Sequence, residues 1–188
     1  MSSAESRPST APSLRGLARE CIVHGLAHGR EREVDPSGYP ATWRQPGACF
    51  VTLRIRVALR GCTGSLEVVR PLVCDVARNA YRSAFGDPRF PPLSREELPE
   101  VEIKIAVLSA LQPFEASSEA ELLARLRPGV DGLVLRDGPH AATFLPAVWE
   151  SLPEPRAFLD ALREKAELPR GYWSPTLRFE RYTTQDVD

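Results

Sequence analysis

Hydrophobic and polar positions change period several times along this chain, and each change predicts a boundary. Leu14, Leu17, Ala18, Cys21, Ile22 and Leu26 recur at helical spacing behind Ser13, a residue suited to an N-cap, and Gly29 supplies the stop. From Ala48 the period falls to two. Cys49, Val51, Leu53, Ile55 and Val57 alternate with Phe50, Thr52, Arg54, Arg56 and Ala58, which predicts a strand or hairpin with one buried face. Pro71 suits the first turn of a second helix whose apolar face is Leu72, Val73, Val76, Ala77 and Ala80, with Gly86 placed to act as a left-handed cap. Pro88, Pro91 and Pro92 remove amide donors, so Asp87 to Leu93 reads as a stiff extended strap.

Ser94 to Glu97 and Ser118 to Glu121 both match a capping box. The first precedes a strand over Val101 to Leu108, and the second opens a helix carrying Leu122, Leu123 and Leu126. Val130 to Leu135 and Ala141 to Leu145 form a strand pair across Asp137-Gly138, Pro155 begins a further helix, and Thr176 to Thr184 alternates as a terminal strand. Strands and helices do not follow one another as βαβ units. The expected class is α+β, mainly antiparallel sheet packed with helices, in a single compact domain with room for a small second lobe. Residues 1–12, rich in Ser, Ala and Pro, are expected to be a disordered tail, leaving 13–188 as the domain.

Composition narrows the function classes. With 24 basic and 25 acidic residues the chain carries a formal charge of -1, so no excess positive field is available to hold a phosphate backbone, and nucleic acid is not an expected partner. No apolar run reaches the length of a membrane-spanning helix, and the N-terminus lacks the pattern of a signal peptide, so no membrane partner is expected either. The four cysteines form no CxxC pair and no Cys/His cluster, consistent with reduced thiols in a cytoplasmic protein and with no metal site. His24 and His28 stand four apart without a third ligand at metal-binding spacing. Neither GxGxxG nor GxxxxGK[ST] occurs, and no cofactor is expected.

Candidate chemistry concentrates at Leu59-Arg60-Gly61-Cys62-Thr63-Gly64-Ser65, read as a flexible loop that follows the alternating segment. Glycines beside Cys62 let the backbone come close to a bound group and offer amides to an anion, and Arg60 adds a positive charge; such surroundings raise the thiolate fraction. On that reading Cys62 is a candidate nucleophile assisted by Arg60, although no histidine lies near it in sequence. On the other, Gly61 and Gly64 make a turn or bulge and Cys62 fills a small pocket beneath it. Candidate binding residues are Arg60, Gly61, Thr63, Gly64 and Ser65, together with Asp87 and Arg89 on the strap, where an Asp-Pro-Arg arrangement positions a guanidinium for a carboxylate or phosphate.

The Leu59 to Ser65 run closely resembles the LRGCIG signature of the AMMECR domain family. Phe50-Val51-Thr52-Leu53 precedes it, and Asp87-Pro88-Arg89-Phe90-Pro91-Pro92-Leu93, Glu97-Leu98, Val107-Leu108-Ser109, Pro128 to Leu133 and Thr143 to Pro146 follow in the family's order, so the likeness spans roughly residues 14–182. Arg70-Pro71-Leu72, Trp149 to Pro153 and Tyr172-Trp173-Ser174 look most like the prokaryotic branch called AmmeMemoRadiSam system protein A. The resemblance implies an α+β fold with antiparallel sheet and a smaller lobe, and association with a Memo-like protein and a radical SAM protein. It implies no reaction. The expectation is an accessory protein that engages a partner or a small ligand at a cleft bordered by the signature loop and the strap, with thiol chemistry at Cys62 as the alternative. Thr63 stands where the family usually has an aliphatic residue, and Glu167 where it often has glycine.

Overall fold

The computed structural model describes residues 13–187, so the tail expected over residues 1–12 lies outside the described residues. The α+β class with antiparallel strand pairing holds. Two compact units divide the chain: one runs to Ala106 and takes back Asp186 onward, and the other is Val107–Gln185. Among the described residues no helix is long and apolar enough to cross a membrane.

The first unit opens with helix α1, Leu14–His28. Its caps are those the sequence indicates: Ser13 accepts the Gly16 amide, and Gly29 closes the helix in the left-handed conformation at φ 67°. After a short turn of helix, α2 (Ala41–Arg44), come strands β1 (Cys49–Ile55) and β2 (Ala58–Gly64), helix α3 (Leu72–Phe85) and strand β3 (Val101–Leu108). With β8 (Thr184–Val187) these strands form a sheet of order β2-β1-β3-β8, which leaves β2 on an edge. Helices α1 and α3 pack on each other, and α3 packs on β1 and β2. The buried side chains of this unit include Leu17, Cys21 and Ile22 of α1, Val51 and Leu53 of β1, Val73, Val76 and Ala80 of α3, and Ile103 and Ile105 of β3. Helix α3 ends differently from expectation. Gly86 lies at φ -124° and ψ 5°, so the left-handed cap is absent, and the strap expected to be extended from Asp87 begins instead as a turn, closed by the Phe90 amide on the Asp87 carbonyl at 3.1 Å.

The second unit holds β4 (Gln112–Pro113), α4 (Glu119–Arg125), β5 (Gly132–Asp137), β6 (His140–Phe144), α5 (Pro155–Lys165) and β7 (Arg178–Tyr182), with sheet order β4-β7-β5-β6. The expected hairpin across Asp137-Gly138 is present as β5 and β6, Asp137 pairing with His140. Its core joins Leu122, Leu133, Leu135, Phe158, Leu162 and Phe179, with the Trp149 ring stacked on Phe158 at 3.8 Å. Arg163 is fully buried and paired with Glu119 at 2.7 Å and Asp160 at 2.9 Å.

Candidate functional site

The signature run is a strand, not the loop expected from sequence. Strand β1 turns back after Ile55 through Arg56 and Val57, and β2 returns antiparallel to it, with Thr52 opposite Cys62 and Leu53 opposite Gly61. Arg56 takes φ 56°, the place in a two-residue hairpin turn where glycine is usual. The register slips between Leu53 and Arg54, which leaves Arg60 as the extra residue of a bulge. Neither Gly61 nor Gly64 has a positive φ. What requires glycine is space. A Cβ on Gly61 would sit 2.0 Å from the Ser83 carbonyl oxygen of α3, and one on Gly64 would sit 2.3 Å from the Phe50 ring.

Helix α3 meets this strand along a polar line. Asp75, Asn79, Ser83 and Asp87 recur every four residues, and all are buried, from 0% to 5% exposed. Asp75 accepts the Cys49 amide at 3.0 Å, the Ser65 hydroxyl at 2.8 Å and the Asn79 amide group at 3.0 Å. The Asn79 amide group also donates to the Cys49 carbonyl at 3.2 Å. Ser83 Oγ donates to the Val51 carbonyl at 2.8 Å and accepts the Thr63 amide at 2.9 Å, so one helix hydroxyl joins β1 to β2. Thr63 adds its own hydroxyl to this line, donating to the Asn79 carbonyl at 3.1 Å.

The fourth member, Asp87, reaches the outer edge of β2. Its carboxylate accepts the Cys62 amide at 2.9 Å, while Arg89 donates to the Cys62 carbonyl at 3.2 Å and to Asp87 Oδ2 at 2.7 Å. The ion pair thus occupies both backbone groups of Cys62, as a neighbouring strand would. Hydrogen bonding from Arg89, and then from the Cys62 and Arg89 amides, holds the Asp87 carboxyl down at about 2 despite burial. Arg89 is raised in turn by Asp87.

Arg60 is committed elsewhere. Its Nε and Nη2 donate to the Glu97 carboxylate at 2.6 and 3.0 Å, a bidentate pair, and Nη2 also lies 3.4 Å from the Pro92 carbonyl. Glu97 is the closing residue of the first capping box: it accepts the Ser94 amide at 2.9 Å, and the Arg60 guanidinium lowers its pKa. The Phe90 ring has the Arg60 guanidinium at 5.9 Å and that of Arg89 at 5.6 Å.

The structure therefore gathers Arg60, Cys62, Asp87 and Arg89 into one cluster and places Gly61, Thr63 and Ser65 against α3. Cys62 itself is half-buried, and its side-chain hydrogen-bond contact is the Thr52 hydroxyl at 3.3 Å. Among the described residues the Cys62 sulfur makes no hydrogen bond to a histidine or carboxylate that could take its proton, and its backbone amide is already bound to Asp87. His140 belongs to the second unit, where Nδ1 meets the Ala166 carbonyl at 2.9 Å. Among the described residues no group of three His, Cys, Asp or Glu side chains could hold a metal ion. Sequence reasoning missed Asp75, Asn79, Ser83 and Glu97, although their spacing from Asp87 and Arg60's need for a counter-charge were available signals.

Residues 15–187 match the AMMECR1 family. The chain belongs to that family. The AMMECR1 match spans both units, and similarity to individual proteins agrees with it. A protein from Methanothermobacter thermautotrophicus is 36% identical over 175 residues, covering 90% of this chain and 88% of its own. One from Aeropyrum pernix is 37% identical over 166 residues, covering 84% and 68%. The crystal structure of uncharacterized protein PH0010 from Pyrococcus horikoshii matches with a TM-score of 0.85 at 29% identity, over 92% of this chain and 88% of that one.

Proposed function

We propose that this AMMECR1-family chain is a binding component of the AmmeMemoRadiSam type, acting in the cytoplasm with a Memo-like protein and a radical SAM protein, and that the β2 signature with its strap forms the surface that engages a partner or small ligand. One observation carries the reading. The backbone groups of Cys62, Nε and Nη2 of Arg60 and the Thr63 hydroxyl are all held by neighbours in the same unit, which favours a signature that supplies shape to a ligand and not a nucleophile. The polar line of α3 then serves to fix that shape.

The direct test mixes the purified chain with the Memo-like protein and with the radical SAM protein, each with and without SAM, and measures binding by calorimetry. Saturable heat with either supports the reading, and no binding in all four mixtures overturns it.

Thiol chemistry at Cys62 is the second reading. Its support is that Cys62 is half-buried, whereas Cys21 and Cys49 are fully buried and burial pushes their thiols up, Cys21 to about 11.

A further inference from the structure

The strap from Asp87 to Leu93 is pinned at both ends, with Asp87 and Leu93 only 5% and 3% exposed. Between them Pro88, Arg89, Pro91 and Pro92 are exposed and Phe90 is half-buried. Every backbone donor from Pro88 to Leu93 is used internally. The Arg89 amide donates to Asp87 Oδ1 at 3.1 Å, the Phe90 amide to the Asp87 carbonyl at 3.1 Å and the Leu93 amide to the Ala84 carbonyl at 2.8 Å, and the three prolines have none to offer. Among the described residues, the carbonyls of Pro88, Arg89, Phe90 and Pro91 accept no hydrogen bond. The strap's backbone therefore presents acceptors without donors, faced by pyrrolidine rings.

That combination selects a partner's chemistry. A strand cannot add to it, because strand addition needs donors on both sides. A side chain that lays a flat apolar ring against proline and brings one N–H or O–H to a carbonyl fits it, which describes tryptophan and tyrosine. Anchoring at both ends means that little conformational entropy is lost on docking. We propose that residues 87–93 are the docking element of this surface, recognised by a partner protein through a groove lined with Trp and Tyr side chains that donate hydrogen bonds to the strap carbonyls. This rests on the binding reading above and adds the partner's chemistry to it.

Indole carries the ring and the donor; N-methylindole keeps the ring and loses the donor. Each is titrated into the isotope-labelled full chain and followed by amide NMR. Saturable shifts centred on Arg89, Phe90, Leu93 and Ser94 at roughly millimolar indole are expected, with affinity for N-methylindole weaker by about threefold or more. Shifts that scatter over the molecule, fail to saturate, or are equal for the two probes overturn the proposal. In the calorimetric assay, Pro91→Ala/Pro92→Ala should lose about tenfold in affinity while its amide spectrum shows it folded. Unchanged affinity in that folded variant also overturns the proposal. Failure of the unaltered chain to bind either protein counts against the partner assignment, and the indole titration then decides the strap's chemistry.

Discussion

The Asp87 carboxylate accepts the Cys62 amide at 2.9 Å, which closes an edge strand with a side chain. Removing it in Asp87→Ala leaves a part-buried amide without a partner and frees Arg89, at a cost of about 2 kcal/mol at neutral pH. The pH dependence has a defined sign. Arg89 first, and then the Cys62 and Arg89 amides, depress the folded carboxyl from 3.8 to about 2, so the stabilisation is complete above pH 4 and is lost as pH falls from 4 toward 2. Urea unfolding at pH 7 and again below pH 3 checks this. The gap between wild type and Asp87→Ala should shrink at the acid end, and a constant gap would refute the assignment.

Gly61 tests the close approach of β2 to α3. Its Cβ would meet a backbone oxygen at 2.0 Å, and backbone cannot rotate away as a side-chain tip can. Gly61→Ala should therefore cost about 3 kcal/mol by thermal or urea unfolding. Gly38→Ala, at a position with nothing within 4 Å of the added carbon and no positive φ, is the matched control and should be near neutral.

Ser83 distinguishes the polar line from ordinary helix packing. Ser83→Ala strands the Val51 carbonyl and the Thr63 amide together, for about 2 kcal/mol. Thr63→Val should cost less than about 1 kcal/mol, because Ser83 keeps both backbone partners. Equal losses in the two variants would show that the hydroxyl of Thr63, not the bridge through Ser83, organises the strands.

Much of this fold is legible in the sequence because its signals are local. Ser13 and Gly29 bound α1, Ser94 and Glu97 close on each other, and Asp137-Gly138 turns β5 into β6, each through groups a few residues apart. Strand β2 is hidden for physical reasons. Its hairpin turns at Arg56 and Val57, without the glycine or asparagine that marks such a turn, and its two glycines, Gly61 in the middle and Gly64 at the end, imitate a loop while serving close packing. The line of Asp75, Asn79 and Ser83 escapes a reading of α3 that follows only apolar positions. A buried polar stripe at spacing four becomes meaningful once a strand is known to lie opposite it.

Glu167 occupies a backbone position that suits glycine. It follows α5 at φ 60°, in the left-handed region, with its side chain exposed. Glu167→Gly should raise stability by about 0.5 to 1 kcal/mol, the conformational relief being partly offset by the greater freedom of glycine in the unfolded chain. Loss of stability in thermal unfolding would mean that the Glu167 side chain makes a contribution that its exposure does not suggest.

Alkylation separates the two functional readings. Burial raises the thiols of Cys21, Cys49 and Cys74, so iodoacetamide at neutral pH should leave Cys21 and Cys49 unmodified in the folded chain and react slowly with half-buried Cys74. Cys62, whose amide is taken by Asp87 and whose sulfur faces the Thr52 hydroxyl, should react no faster than glutathione. Mass-spectrometric rates for each peptide, set against glutathione under the same conditions, give the answer. A rate at Cys62 about tenfold above glutathione would require an activating group that the cluster of Arg60, Asp87 and Arg89 does not supply, and would move the AMMECR1 signature from a docking surface to a catalytic one.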